Sequence, residues 1–212
     1  GKVFCDVTNL DYARKVEGQG ADAVVAVAYG AGGHAGGIVP SVLVPWLVDN
    51  LSIPVIAAGG ITDGRTLCSA LALGAAAGYM GTRFIASEEV QVAMPYKQEI
   101  VDRDPEDIIY TAAVTGTPAN FINTPYLQSL GTGKGFFGSM FNRFSFTRKW
   151  WKMYKGYRAM KGMAASANRE QKAWKDVWSA GQTVGLIHDI QPAGRIVAEV
   201  VSQYAECREQ LP

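Results

Sequence analysis

Residues 53–84 read IPVIAAGGITDGRTLCSALALGAAAGYMGTRF, and this stretch sets the architecture. The apolar run 53–58 has the composition of a buried strand and stops at Gly59-Gly60. A helical pattern follows over 63–73. A second short apolar strand at 77–80 stops at Gly81-Thr82. The unit is β-α-β with a glycine turn at the carboxyl end of both strands. Ligands of parallel α/β folds bind at that end, and glycine lets backbone N–H groups come close to a phosphate. The stretch therefore predicts a phosphate grip, with the hydroxyl of Thr82 as an added donor. It is no Walker loop, since GxxxxGK[ST] is absent. It is no dinucleotide fingerprint, since no GxGxxG opens a helix with an acidic residue about 20 positions on. Each pair alone also fits a plain tight turn.

Working outward, residues 2–8 read as a strand. Asn9 offers an N-cap for a helix over 10–17. Residues 23–28 (AVVAVA) form a further buried strand. It opens into YGAGGHAGG, residues 29–37, with five glycines in nine residues. Helices are expected over 41–50 and 88–101. Four strands alternate with helices by about residue 100, which argues for a parallel sheet. Four units do not close a (β/α)8 barrel, so the sheet is either small and open or half of such a barrel. His34 sits in the glycine loop at the carboxyl end of a strand, on the side of the phosphate turns. Imidazole suits proton transfer near neutrality. A loop histidine bonded to its own backbone fits the residues as well.

The 212 residues suffice for one domain with a real core, and a net charge of +1 gives no global case for a polyanionic partner. Cys5, Cys68 and Cys207 are far apart and odd in number. They suggest neither a disulfide framework nor a metal site, but a reducing, cytoplasmic setting. No apolar run reaches the roughly 18 residues of a membrane span, and no signal peptide is visible. The first residue is Gly, so an upstream segment is expected to have been removed. No serine lies in a GxSxG setting, and no cluster has metal-ligand spacing. His188, beside Asp189, is expected to be structural.

After Asp107 the composition changes. Residues 108–168 contain no Asp or Glu, whereas Arg148, Lys149, Lys152 and Lys155 alternate with Trp150, Trp151, Tyr154 and Tyr157. The chain thus divides into an α/β part, 1–107, and a basic, aromatic, mainly helical extension, 108–212. Three readings of the basic segment stand: a solvated helical face whose aromatics pack on the barrel, the lining of an apolar channel or dimer interface, or a surface for an anionic membrane or nucleic acid. Its charges are not confined to one face, which argues against the last. Residues 192–207 predict an amphipathic helix with Ile196, Val197, Val200 and Val201 inward.

GAGGHAGG followed by IPVIAAGGITDGRTLCSALALGAAAGYMGTRFIAS resembles the nitronate monooxygenase (2-nitropropane dioxygenase) family. Related flavin-dependent enoyl-acyl-carrier-protein reductases share the pattern. The resemblance is strong over residues 1–100, and TGTPANFINTP and WSAGQTVGLIHDI are similar to the C-terminal part of one branch. It implies an α/β (β/α)8 TIM barrel with FMN at the carboxyl ends of its strands, of which this chain holds the C-terminal four units. It implies that Ala58, Gly59, Gly60, Gly81 and Thr82 hold the FMN phosphate, that Gly33 is a further cofactor-binding position, and that His34 is the active-site base. Oxidation of nitroalkanes or nitronates with O2 is the first expectation, and reduction of an enoyl thioester with NAD(P)H the second. A non-catalytic phosphate-ligand or membrane-surface module is the alternative of another class. A small-molecule substrate and the missing N-terminal half of the barrel are the expected partners, with room for a homodimer; no nucleic acid and no transmembrane segment are expected.

Overall fold

A computed structural model describes residues 1–129 and 177–210. The chain comprises two compact units. One unit comprises Gly1–Asn123 and Ser179–Pro212. It opens with β1 (Phe4–Val7), α1 (Leu10–Gly18), β2 (Ala23–Val27), β3 (Gly33–His34), α2 (Pro40–Val48), β4 (Val55–Ala58), α3 (Gly64–Ala72) and β5 (Ala77–Tyr79). Short α4 (Thr82–Ile85), then α5 (Met94–Asp102), β6 (Ile108–Thr111), β7 (Ala119–Ile122) and the long helix α7 (Ala193–Gln210) complete it. The other unit, Thr124–Trp178, contributes α6 (Pro125–Ser129) to the described residues. Its basic aromatic segment, on which three readings stood, lies outside the described residues.

β1, β2, β4 and β5 form one parallel sheet in that order, as the alternation predicts. The register sets Val27 beside Ala58 and Ala58 beside Tyr79, so the carboxyl ends lie side by side. Side chains alternate across the sheet. Val24, Ala26, Val55 and Ala57 join Leu43, Val44 and Leu47 in the core under the helices. Asp6, Val25, Val27, Ala58 and Tyr79 face a cavity on the opposite side. The sheet is open among the described residues: Phe4 on β1 is 57% exposed and Tyr79 on β5 is 61% exposed.

Local signals explain the helices. Asn9 caps α1 by accepting from the Tyr12 N–H at 2.9 Å. Asp63 caps α3 through a reciprocal box with Thr66. The helix expected over 88–101 begins only at Met94, because Pro95 lacks an N–H and suits the first turn of a helix. In α7, Ile196 and Val200 are buried as expected, but Val197 is 51% exposed and Val201 60%. The helix is held against α3 along the Ile196–Val200 face, so the inward stripe is narrower than its apolar residues suggest. At that crossing Gly64 meets α7 backbone to backbone: an added Cβ would lie 2.1 Å from the Tyr204 nitrogen.

The strands β6 and β7 are absent from the sequence expectation, which placed no strand after Asp107. They pair antiparallel with each other and then with β3 in a second sheet, β3-β7-β6. All four residues of β7 are buried, so no period-two pattern marks it in the sequence. Among the described residues no helix is long and apolar enough to cross a membrane.

Candidate active site

The carboxyl ends of β2, β4 and β5, with the loops that follow them, enclose a cavity of about 360 Å³. Its wall includes His34, Ala58, Gly59, Gly60, Gly81 and Thr82. The fold thus brings together every expected site residue but one. Gly33 is off the wall, although Gly32 and His34 on either side line it. Gly33 instead serves β3, with φ +72°, and pairs with Asn120.

Two glycines are required by their surroundings. Gly59 has φ +93°, and a Cβ there would lie 2.9 Å from the Ala31 nitrogen and 3.0 Å from the Ala28 carbonyl oxygen. The turn after β4 therefore packs directly onto the loop after β2. Gly181 is the second. A Cβ on it would lie 2.5 Å from the Gly30 carbonyl oxygen, and the Gln182 N–H donates to that same oxygen at 3.0 Å. The Gly181 N–H donates to Thr82 Oγ1 at 2.9 Å. This fixes the hydroxyl from behind and leaves its proton to offer to a ligand.

Ser179 and Thr183 stand on the same cavity wall. Residues 181–185 (GQTVG) lie in WSAGQTVGLIHDI; their glycines alone fit a plain turn, and the purpose of Gly181 depends on loop 30–32. Behind this segment, the hydroxyl of half-buried Tyr96 donates to the Ser179 carbonyl oxygen, and burial raises the phenol above its ordinary value. Lys97, which is buried, donates to the Ser87 carbonyl oxygen. Buried Arg83 donates to Asp189 Oδ1 at 2.7 Å and to the Asp189 carbonyl oxygen at 3.0 Å. His188 is exposed and lines a separate small cavity with Thr62 and Arg83.

The second sheet holds the histidine loop. Buried Asn120 donates from Nδ2 to the Ala31 carbonyl oxygen at 2.8 Å, and the Tyr110 hydroxyl donates to the Ala35 carbonyl oxygen at 3.0 Å. The rings of Tyr29 and Tyr110 pack edge to face with centroids 5.2 Å apart. His34 Nε2 lies 3.2 Å from the Thr115 hydroxyl. Thr115 and Asn120 both lie in TGTPANFINTP, whose resemblance to the family assigns neither a role, and each reaches its partner across more than eighty residues.

The arrangement offers a ligand backbone amides, several hydroxyls, that of Thr82 among them, and one imidazole at the mouth of a largely apolar sheet face. Among the described residues, Asp6 is the single acidic or basic side chain on the wall apart from His34, and no His, Cys, Asp and Glu group could hold a metal ion.

A family model described as nitronate monooxygenase matches residues 3–203. The (3aS,4S,5R,7aS)-5-hydroxy-7a-methyl-1-oxo-octahydro-1H-indene-4-carboxyl-CoA dehydrogenase of Rhodococcus jostii is 34% identical over 90% of this chain and 61% of its own length. Among solved structures, FabK from Thermotoga maritima superposes with a TM-score of 0.79 at 35% identity, covering 99% of this chain and 62% of that one. Nitroalkane oxidase from Streptomyces ansochromogenes gives a TM-score of 0.75 at 29% identity, covering 100% of this chain and 59% of that one. The chain therefore spans about three fifths of these relatives' length. With the matched residues running through the whole parallel sheet, the glycine turns, His34 and most of α7, the chain belongs to the nitronate monooxygenase family.

Proposed function

We propose that this chain belongs to an FMN-dependent oxidoreductase whose substrate is a carbon acid, in the first instance a nitroalkane or its nitronate. One observation carries the proposal: a single cavity wall holds both the glycine turns and His34. Ala58, Gly59, Gly60, Gly81 and Thr82 would hold the phosphate of FMN. The residues fit that group. Gly59 and Gly60 both have positive φ, and a Cβ on Gly81 would meet nothing within 4 Å, so the cradle is open where a ligand must approach. When bound, FMN supplies a two-electron acceptor that O2 can reoxidise.

His34 then acts on the proton. The carbon beside a nitro group is acidic because the electron pair left on it spreads into the nitro oxygens. An imidazole at the cavity wall takes that proton or stabilises the nitronate already formed. Val25 and Val27 present apolar surface to the same cavity and would limit water at the reacting carbon.

A second substrate class has a specific observation in its favour. The Rhodococcus relative, whose name specifies a carboxyl-CoA compound, is similar over 90% of this chain. The carbon beside a thioester carbonyl is a carbon acid of the same kind, and His34 would serve it in the same way. An enoyl thioester reduced at the expense of NAD(P)H is its reverse-direction form.

The proposal includes the eight-stranded barrel. The exposed edges at β1 and β5 are where further βα units would join the four parallel strands.

Anaerobic titration of the purified protein, after its mass and flavin content are measured, tests the proposal. Bleaching of the flavin bands by a nitronate supports the first substrate class. Bleaching by a saturated acyl-CoA shifts the assignment to thioester oxidation, and bleaching by NAD(P)H alone shifts it to the reductase. A protein of the relatives' full length that binds no flavin overturns the proposal.

A further inference from the structure

We infer that Thr115 is a positioning residue that accepts a hydrogen bond from His34 Nε2, so that Nδ1 is the basic atom of the imidazole. The inference rests on His34 being the proton acceptor proposed above, and it goes further by assigning the working nitrogen and the group that selects it.

The argument is a count of protons. His34 Nε2 and Thr115 Oγ1 are 3.2 Å apart, and either could donate. A threonine hydroxyl has one proton. Thr115 gives it to the Thr117 carbonyl oxygen at 3.0 Å, and a carbonyl oxygen can only accept. The remaining role of Thr115 Oγ1 toward His34 is therefore acceptor, and Nε2 must carry hydrogen. A neutral imidazole has one N–H, so the lone pair available for a proton is on Nδ1.

The surroundings make this arrangement persistent. His34 occupies the two-residue strand β3, paired with Ala119 of β7. Thr115 lies on the turn joining β6 to β7, so the ring and its acceptor belong to one small sheet. Asn120 and Tyr110 tie that sheet to the backbone on both sides of His34, at Ala31 and Ala35. In the proton transfer the substrate C–H bond breaks, its proton goes to Nδ1, and its electron pair stays on the carbon and spreads into the adjacent nitro or carbonyl group. The imidazolium that results still donates from Nε2 to Thr115, so the contact survives the step and steadies the charged ring.

The chain has only two histidines, His34 and His188, which makes the experiment direct. Imidazole nitrogen NMR on the whole chain, with His188→Gln for assignment, reads the tautomer without any turnover. Wild type is expected to show a protonated Nε2 and a bare Nδ1 at His34, with an Nε2–H resonance that persists in water. Thr115→Ala is expected to lose that resonance, and Thr115→Ser to keep it. In enzyme that holds flavin, Thr115→Ala should lower the rate of anaerobic flavin reduction by roughly three- to tenfold, the scale of one hydrogen bond, with flavin content unchanged. A wild-type His34 protonated on Nδ1, or an Nε2–H signal equally persistent in Thr115→Ala, overturns the inference. Failure of every carbon acid to bleach the flavin would count against the proposed function while leaving the NMR result intact.

Discussion

The two sheets of this molecule solve different problems. The parallel sheet β1-β2-β4-β5 prepares a surface from backbone: its strands stop together, and glycine turns leave amides and space where a phosphate would lie. The antiparallel sheet β3-β7-β6 prepares a side chain. It holds one two-residue strand so that one imidazole keeps one orientation. The first tolerates little bulk, and the second depends on a few specific hydrogen bonds. Substitutions should separate the two, with cofactor retention following the first sheet and turnover following the second.

The largest effect is expected on the antiparallel side. His34→Ala should slow anaerobic flavin reduction by about 10²–10⁴-fold, the usual contribution of a positioned acid–base group, while flavin content after desalting stays near that of wild type. Equal loss of flavin and turnover would erase the division between the sheets. On the parallel side, Gly59→Ala places a methyl group 2.9 Å from the Ala31 nitrogen at a positive φ. It should cost about 1–3 kcal/mol of stability, as overpacking does, and release flavin, which thermal melts and absorbance would record.

Asn120→Leu sharpens the comparison. It keeps much of the volume but removes the donor to the Ala31 carbonyl oxygen. Leaving that buried acceptor unpaired should cost about 1–3 kcal/mol, with turnover reduced more than flavin retention. The smallest effect concerns Asp63 in the cap of α3. Burial alone would raise its carboxyl, but hydrogen bonds from the Thr66 N–H and hydroxyl and the charge of Arg65 together hold it below the ordinary 3.8. A carboxyl lowered in the folded state stabilises at pH above its unfolded value, and that share is lost as pH falls through the folded value. Acid titration of stability should therefore fall less steeply in Asp63→Asn than in wild type.

Much of the parallel layer could be read directly from sequence, because apolar runs punctuated by glycine are a local signal. The runs at 23–28 and 53–58 became β2 and β4 within two residues, and Asn9 caps its helix as its position suggests. The site was legible to the same depth: His34 and the two glycine turns share a wall because each sits at a strand end. What stayed hidden was non-local. The four residues of β7 are buried on both faces and show no alternation. Gly181 reads as a turn until Gly30 and Gly32 are set against it. The exposure of Val197 and Val201 follows from how α7 lies on α3, which no periodicity records. Gly33, a cofactor-binding position by the family resemblance, has a positive φ and pairs with Asn120 in the strand that presents His34.

The contact of Gly181 and Gln182 with Gly30 and Thr82 has a consequence for the order of events during synthesis. Domains made on the ribosome grow from the N-terminus at about 5–20 residues per second. All four parallel strands are available once Tyr79 has emerged, yet the Thr82 hydroxyl and the Gly30 carbonyl gain their partners only when residues 181–182 arrive. A nascent chain would pass through a long interval with its sheet formed and one wall of the cavity absent. Capture of a cofactor would then wait until residues 181–182 have been made and have closed onto Gly30 and Thr82.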